Sequence, residues 1–206
     1  MSDYHEALWE GVPEGLQPPY LSERLAFVLA HVSPAARVLD VGCGEGRFTE
    51  AFADRCAQVV GIDVAEEPLR RARARRPDLD LRRVEPAGSW PLADASFDVL
   101  WAGEVIEHVA DTSAWFSEAR RVLRSGGALV LSTPAHEPLT RAALALNARA
   151  FEAHFNPRSD HLRFYTRRAL LELLADFGFQ APQTRAIGRL PGARRVLLAS
   201  ARRARF

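Results

Sequence analysis

Two stretches of this 206-residue chain gather residue types that can do chemistry. The first is Val38-Leu39-Asp40-Val41-Gly42-Cys43-Gly44-Glu45-Gly46, followed by Asp63 at the end of the next apolar run. Glycine at 42, 44 and 46 gives the backbone access to positive φ and lets a ligand lie against it. A helix that opens after Gly46 offers free N–H groups and a positive dipole end. A carboxylate at Asp63 can accept hydrogen bonds from both hydroxyls of a ribose. Glycine turns of this kind also serve nicotinamide and flavin sites. Here the spacing is GxGxG rather than GxGxxG, and Asp40 stands just ahead of it. A carboxylate there repels a pyrophosphate and favours a ligand that is cationic and carries no phosphate.

The second stretch is Glu104-Val105-Ile106-Glu107-His108. Read as a helix, it puts residues 104, 107 and 108 on one face. Two carboxylates and an imidazole so placed can hold Mg²⁺, Mn²⁺ or Zn²⁺. Without a cation, a proton or an arginine beside them the carboxylates repel each other. A later segment, Ser159 to Arg167, brings His161 as a further ligand from across a cleft. His108 and His161 also have the right intrinsic pKa for a general base near neutral pH.

These residues need a scaffold, and the apolar pattern predicts one. Short apolar runs at 37–41, 58–63, 81–84, 97–102 and 128–132 read as buried strands. Between them, 48–56, 68–76 and 113–123 read as helices, with Ser125-Gly126-Gly127 as the stop and turn after the last. Strands alternating with helices imply an α/β fold, a Rossmann-like parallel sheet with helices on both faces. Upstream, residues 1–20 read as an irregular arm rich in proline and aromatics, and 21–31 as a helix. Residues 136–166 break the rhythm with one helix over about 139–150 and a polar aromatic loop. Thr166 caps a helix over 167–177, and 183–201 supplies two strands around the turn Leu190-Pro191-Gly192. The expected layout is one domain: an N-terminal arm and helix (1–35), a ligand-binding core (36–135), a lid (136–166) and a C-terminal helix with strands (167–206).

The stretch from Arg37 to Pro134 resembles the class I S-adenosylmethionine (SAM)-dependent methyltransferases. VLDVGCGEG is similar to their first motif and VVGIDV to the strand ending in the ribose-binding acid. SFDVLWAGEVIEHVAD and RRVLRSGGALVLSTP resemble their fourth-strand and fifth-strand segments. The resemblance implies SAM near Asp40, Gly42, Gly44, Gly46, Asp63 and the turn at Gly103 and Glu104. In place of the family's usual adenine-binding Asp stands Glu85, with Trp90 as a further wall or simply a core residue. The Glu-x-x-Glu-His pattern and a later His are similar to two metal-using branches, ubiquinone-biosynthesis O-methyltransferases and small-RNA 3′-terminal 2′-O-methyltransferases. Carried over, the ligands of Mg²⁺ or Mn²⁺ are Glu104, Glu107, His108 and His161. The expected reaction is methyl transfer to a small-molecule acceptor, at a hydroxyl oxygen, with His108 or His161 as base. The alternatives are a metal-assisted RNA 2′-O-methyltransferase, a non-catalytic SAM-binding protein and a nicotinamide-dependent oxidoreductase.

Composition narrows these choices. A net charge of +1 gives no global field for nucleic acid or an anionic membrane. All 27 basic residues are arginine. Seven of them, at 185, 189, 194, 195, 202, 203 and 205, follow the last acid, Asp176, and read as a solvated edge rather than a polyanion site. Two isolated cysteines, no signal-peptide pattern and no long apolar run point to a cytoplasmic protein. Phe151, Phe155, Phe164 and Tyr165 read as packing of the lid.

Overall fold

The structure, a computed structural model, describes residues 2–86, 88–188 and 190–205. Ala87 and the predicted tail arginine Arg189 lie outside the described residues. Seven strands form one sheet in the order β3-β2-β1-β4-β5-β7-β6. They are β1 (Arg37–Val41), β2 (Gln58–Asp63), β3 (Asp80–Arg83), β4 (Phe97–Gly103), β5 (Leu123–Pro134), β6 (Phe179–Ile187) and β7 (Val196–Arg203). The first five are parallel, and β7 runs antiparallel to both β5 and β6. This is the Rossmann-like arrangement that the sequence predicts. From β1 the chain winds outward first through β2 and β3, then back through β4 and β5. The crevice between β1 and β4 is therefore the switch point where such sheets bind ligands.

The central strands are buried on both faces, so alternate residues feed two cores. Leu39, Ile62, Leu100 and Leu131 pack with Trp115, Phe116 and Val122 of α5 (Thr112–Val122) and with Leu170 and Leu174 of α8 (Arg167–Asp176). Val38, Val59, Val99 and Val130 pack with Val28 of α2 (Leu21–Leu29), Phe48 and Phe52 of α3 (Arg47–Ala53) and Leu69 of α4 (Glu66–Arg75). Thr166 caps α8 through Ala169 N, as expected.

Several elements differ from expectation. The arm is not irregular: Ser2–Glu10 is a helix, α1. Ser125-Gly126-Gly127 is not a helix stop, because α5 ends at Val122 where Leu123 turns extended and starts β5. The glycines instead form a bulge between the Phe97–Leu123 and Val99–Ala128 pairings. There Gly126 takes φ +74, and a Cβ on Gly127 would lie 2.9 Å from the Arg124 carbonyl oxygen. The single lid helix is two, α6 (Pro138–Leu146) and α7 (Ala148–His154), divided by Asn147. Asn147 takes an extended conformation, and its side chain accepts Ala150 N to cap α7. Glu104–His108 is a turn rather than a helix, since Glu104 sits at φ +57 directly after β4.

Candidate active site

The glycine turn sits at the end of β1. Gly42 N and Cys43 N both donate to the Ile62 carbonyl at the end of β2, at 2.8 and 3.1 Å. Gly44 N donates to Asp63 Oδ2 at 2.8 Å and Ala65 N to Oδ1 at 3.0 Å. Asp63 thus ties the turn to the start of α4 while one edge still faces the crevice, and burial raises its pKa. Gly42 has φ +68, and a Cβ there would fall 2.4 Å from Val105 Cγ2. Gly42→Ala is expected to lower stability by about 1–3 kcal/mol through both strain and this clash. Denaturant unfolding measures it, and an unchanged midpoint would show that the contact does not constrain the turn.

Asp40 and Gly46 stand back from the crevice. Asp40 is 1% exposed beneath the turn, where the Thr49 hydroxyl donates to Oδ2 at 2.6 Å. Burial pushes its pKa up to about 7, helped by the neighbouring Asp63 charge. Gly46 opens α3 at φ +76 and faces Ala72 and Leu79 of the core.

α1 roofs the turn. The Trp9 indole lies where a Cβ on Gly44 would be, 3.0 Å away. Glu6 caps α4, accepting from Glu66 N and Glu67 N. Arg71 of α4 donates to the Trp9 and Val12 carbonyls and pairs with buried Glu45 at 3.1 Å. Glu45 in turn accepts Gly15 N at 2.9 Å.

Under this roof the crevice has two connected chambers of about 650 and 480 Å³. They share Gly42, Asp63, Val105 and His108. Glu85, Trp90 and Trp115 wall the larger one. Trp90 and Trp115 meet edge to face, and Trp90 N donates to Glu118 at 2.7 Å. Trp90 is therefore both a buried core residue and a cavity wall. The smaller chamber is lined by Gly44, Gly103, Glu104, Arg24 and Arg47. Arg24 is 2% exposed, its guanidinium over the Phe48 and Trp101 rings at 5.1 and 5.8 Å. Its Nη2 is 3.9 Å from Glu104, and burial lowers its pKa. The Nε atoms of Arg24 and Arg47 are buried without a hydrogen-bond partner. Neither arginine was singled out from the sequence. The available signal was Arg24 on the apolar stripe Leu21, Leu25, Val28, where a cation is out of place.

The second stretch gathers beside the shared wall. Glu107, His108 and His161 bring one ligand atom each to within 4.8 Å of one another. Glu104, the fourth expected member, is not among them. It is held apart by its own left-handed backbone, by the Ser132 hydroxyl at 2.8 Å and by Arg24. Glu107 is fully buried. Its Oε2 accepts from the Thr133 hydroxyl at 3.0 Å, and Oε1 has no partner. Burial, then the charge of Glu104, push its pKa up to about 8. His108 Nδ1 lies 2.9 Å from the Asp160 carbonyl oxygen, which can only accept. The proton is thus on Nδ1, and Nε2 keeps its lone pair 4.0 Å from Glu107. Burial lowers the His108 pKa. The loop carrying His161 is fastened by Leu162 N and Arg163 N to the Glu107 carbonyl and by the Tyr165 hydroxyl to that of Ile106. The lid aromatics pack on one another, through Phe151–Phe155, Phe155–Phe164 and His154–Phe164.

Of the tail arginines, Arg194, Arg202 and Arg203 donate to main-chain carbonyls. Among the described residues no helix is long and apolar enough to cross a membrane.

Comparison with known proteins shows what this chain is similar to. Residues 39–131 match the methyltransferase-domain family. The chain is 36% identical over 156 residues to a protein of Mycolicibacterium smegmatis named as a probable S-adenosylmethionine-dependent methyltransferase, covering 76% of this chain and 56% of that one. It is 38% identical over 146 residues to the ubiquinone biosynthesis O-methyltransferase of Xanthomonas campestris pv. campestris, covering 67% and 59%. The chain thus spans somewhat over half the length of these relatives. In structure it is similar to geranyl diphosphate C-methyltransferase from Streptomyces coelicolor, solved with Mg²⁺, geranyl diphosphate and S-adenosyl-L-homocysteine. That likeness has a TM-score of 0.68 at 19% identity, over 89% of this chain and 80% of that one.

Proposed function

We propose that this chain, which carries a class I methyltransferase domain, binds SAM along the two chambers and transfers its methyl group to a hydroxyl oxygen of a small-molecule acceptor. One observation carries the reading: the chemistry of the cleft changes along its length in the order of SAM's own parts. At one end the guanidinium groups of Arg24 and Arg47, which line the smaller chamber, suit the carboxylate of the amino-acid tail. In the middle Asp63 suits the ribose. At the other end Glu85 and the Trp90–Trp115 corner suit a flat base. The ubiquinone relatives support oxygen as the acceptor atom.

SAM brings its own leaving group, so the protein's task is alignment, worth roughly 7–11 kcal/mol when complete. Bound there, SAM would supply a methyl group on a sulfonium that leaves as S-adenosylhomocysteine (SAH) when the acceptor oxygen takes the methyl. The hydroxyl proton passes to the bare Nε2 of His108 or to His161. Glu104 and Glu107 stand behind these bases, anchored by Ser132 and Thr133.

The cluster of Glu107, His108 and His161 also fits a divalent cation. The unpartnered Glu107 Oε1 and the bare His108 Nε2 are what such an ion requires, and the Asp160 carbonyl fixes the imidazole as outer partners of metal ligands do. Mg²⁺ or Mn²⁺ held there would occupy the histidine lone pairs and, in place of a histidine base, would lower the pKa of an acceptor hydroxyl.

Titration calorimetry with SAM and SAH tests the cofactor reading, and micromolar binding of both is expected. With an acceptor in hand, His161→Ala and Glu104→Ala are each expected to slow turnover by about 100-fold, the usual scale for a positioned base. SAH affinity should stay within about threefold in His161→Ala. Full turnover in both variants would remove these residues from the mechanism, and methyl label recovered on carbon would overturn the oxygen assignment.

A further inference from the structure

The helix α1 turns one side toward the cleft. His5, Leu8 and Trp9 stand at i, i+3 and i+4, on one face, and all three line the smaller chamber. Tyr4 and His5 line the larger one. What fastens the helix is elsewhere, in Glu6 on α4 and Arg71 on the Trp9 and Val12 carbonyls. Tyr4 is 46% exposed and Leu8 38%, and Leu16, which follows α1 into the smaller chamber, is 61% exposed. Single exposed hydrophobic residues are ordinary, but three around one concavity mark a surface that a ligand covers.

His5 is the polar member of this face. It lines both chambers, where Gly42, Asp63, Val105 and His108 are also shared. Its reach into the cleft shows in the charges of its neighbours. Burial raises the Asp63 pKa, and the His5 imidazole is among the groups that pull it back. Burial lowers the His108 pKa, Asp160 opposes the change, and His5 adds to it. The His5 ring meets the edge of Tyr4 at 5.7 Å between centroids. Among the described residues neither of its nitrogens is hydrogen-bonded.

The hydrogen-bonding needs of a ribose connect these observations. An ionised carboxylate only accepts, so Asp63 can take the protons of two hydroxyls but give nothing back. The nearest main-chain donors are already spent, since Gly44 N and Ala65 N both donate to Asp63 itself. The hydroxyl oxygens therefore keep lone pairs that call for a donor from the other side of the cleft. A neutral imidazole has one N–H to give, and His5 brings it from the roof.

We propose that His5 completes the cofactor site: the ribose lies between Asp63 and His5, gives its hydroxyl protons to the carboxylate and accepts the imidazole N–H at one oxygen. Tyr4 and Leu8 are covered as it does so. The contact presupposes the cofactor reading above and adds to it, because α1 becomes part of the site and not only its cover.

His5→Ala is the test variant, since alanine suits a helix and leaves the Glu6 and Arg71 contacts in place. The ligands are SAH and 5′-methylthioadenosine, which keeps the ribose and base but lacks the amino-acid tail. SAH is titrated calorimetrically, and the shorter ligand is measured by displacing SAH. Expected is a loss of about tenfold for both, the scale of one hydrogen bond, with His5→Gln recovering part of it through its amide N–H. Saturating SAH is expected to slow amide exchange across residues 4–12 in the wild type, and by less in His5→Ala. Affinities within about threefold of wild type for both ligands would overturn the contact. A loss confined to SAH would put His5 on the amino-acid tail and overturn the ribose assignment. Failure of the wild type to bind SAH would instead sink the cofactor reading, and this contact with it.

Discussion

Arg24→Leu is expected to weaken SAM and SAH binding by about 100-fold while leaving the protein folded. A carboxylate bound by a buried guanidinium gains charge-assisted hydrogen bonds of about 1.5–3 kcal/mol each. Arg24 lines the smaller chamber, which puts its guanidinium beside a carboxylate bound there. The cost to the fold is smaller, because the wild-type cation is itself desolvated and only loosely paired, 3.9 Å from Glu104. Leucine gives up the contact with Phe48 and Trp101 but no longer needs hydration. Calorimetry and a thermal scan on one sample separate the two effects. SAM affinity within threefold of wild type would show that the tail carboxylate goes elsewhere.

Asp40→Asn is expected to stabilise the protein at alkaline pH, by up to about 4 kcal/mol, and to change little in acid. The folded-state pKa of Asp40 is about 7, against 3.8 for the free side chain, with burial as the main cause. The sign follows from proton counting. Between pH 4 and 7 the folded protein holds a proton that the unfolded chain has lost, so stability falls as pH rises through that window and is level above it. At about 1.4 kcal/mol per unit, the shift of some three units sets the upper figure. Asparagine keeps an acceptor for the Thr49 hydroxyl but carries no charge to bury. Urea midpoints at pH 5 and pH 9 measure the difference. A variant equally destabilised at both values would mean that the carboxylate acts as a packing element, not as a buried charge.

The core of the fold was legible because its signals are local. Val38 to Gly46 reads as a strand and a glycine turn from residue type alone, and Asp63 closes the neighbouring run. α1 was not legible, since what holds it is tertiary: Glu6 capping α4, Arg71 gripping the Trp9 and Val12 carbonyls, Trp9 resting on Gly44. The turn at Glu104 shows the limit from the other side. Its i, i+3, i+4 spacing imitates a helix face, but the close of β4 forces Glu104 to positive φ. Glu107, His108 and His161 still meet, because the loop at 160–165 is stitched to the turn's carbonyls rather than to any helix. Arg24 and Arg47 come to one chamber from separate elements, α2 and α3, which spacing along the chain does not reveal.

The roof over the glycine turn bears on the tempo of the proposed reaction. A nine-residue helix has little stability of its own. Held by one carboxylate and one guanidinium, α1 belongs to the class of segments that open without the rest unfolding. Trp9 lies directly over Gly44, so on the proposed function SAH is expected to leave most easily when that segment lifts. On the proposed function, amide exchange across residues 4–12 is expected to report the same opening that releases SAH, and exchange no faster there than in the core strands would show that the roof does not open on its own.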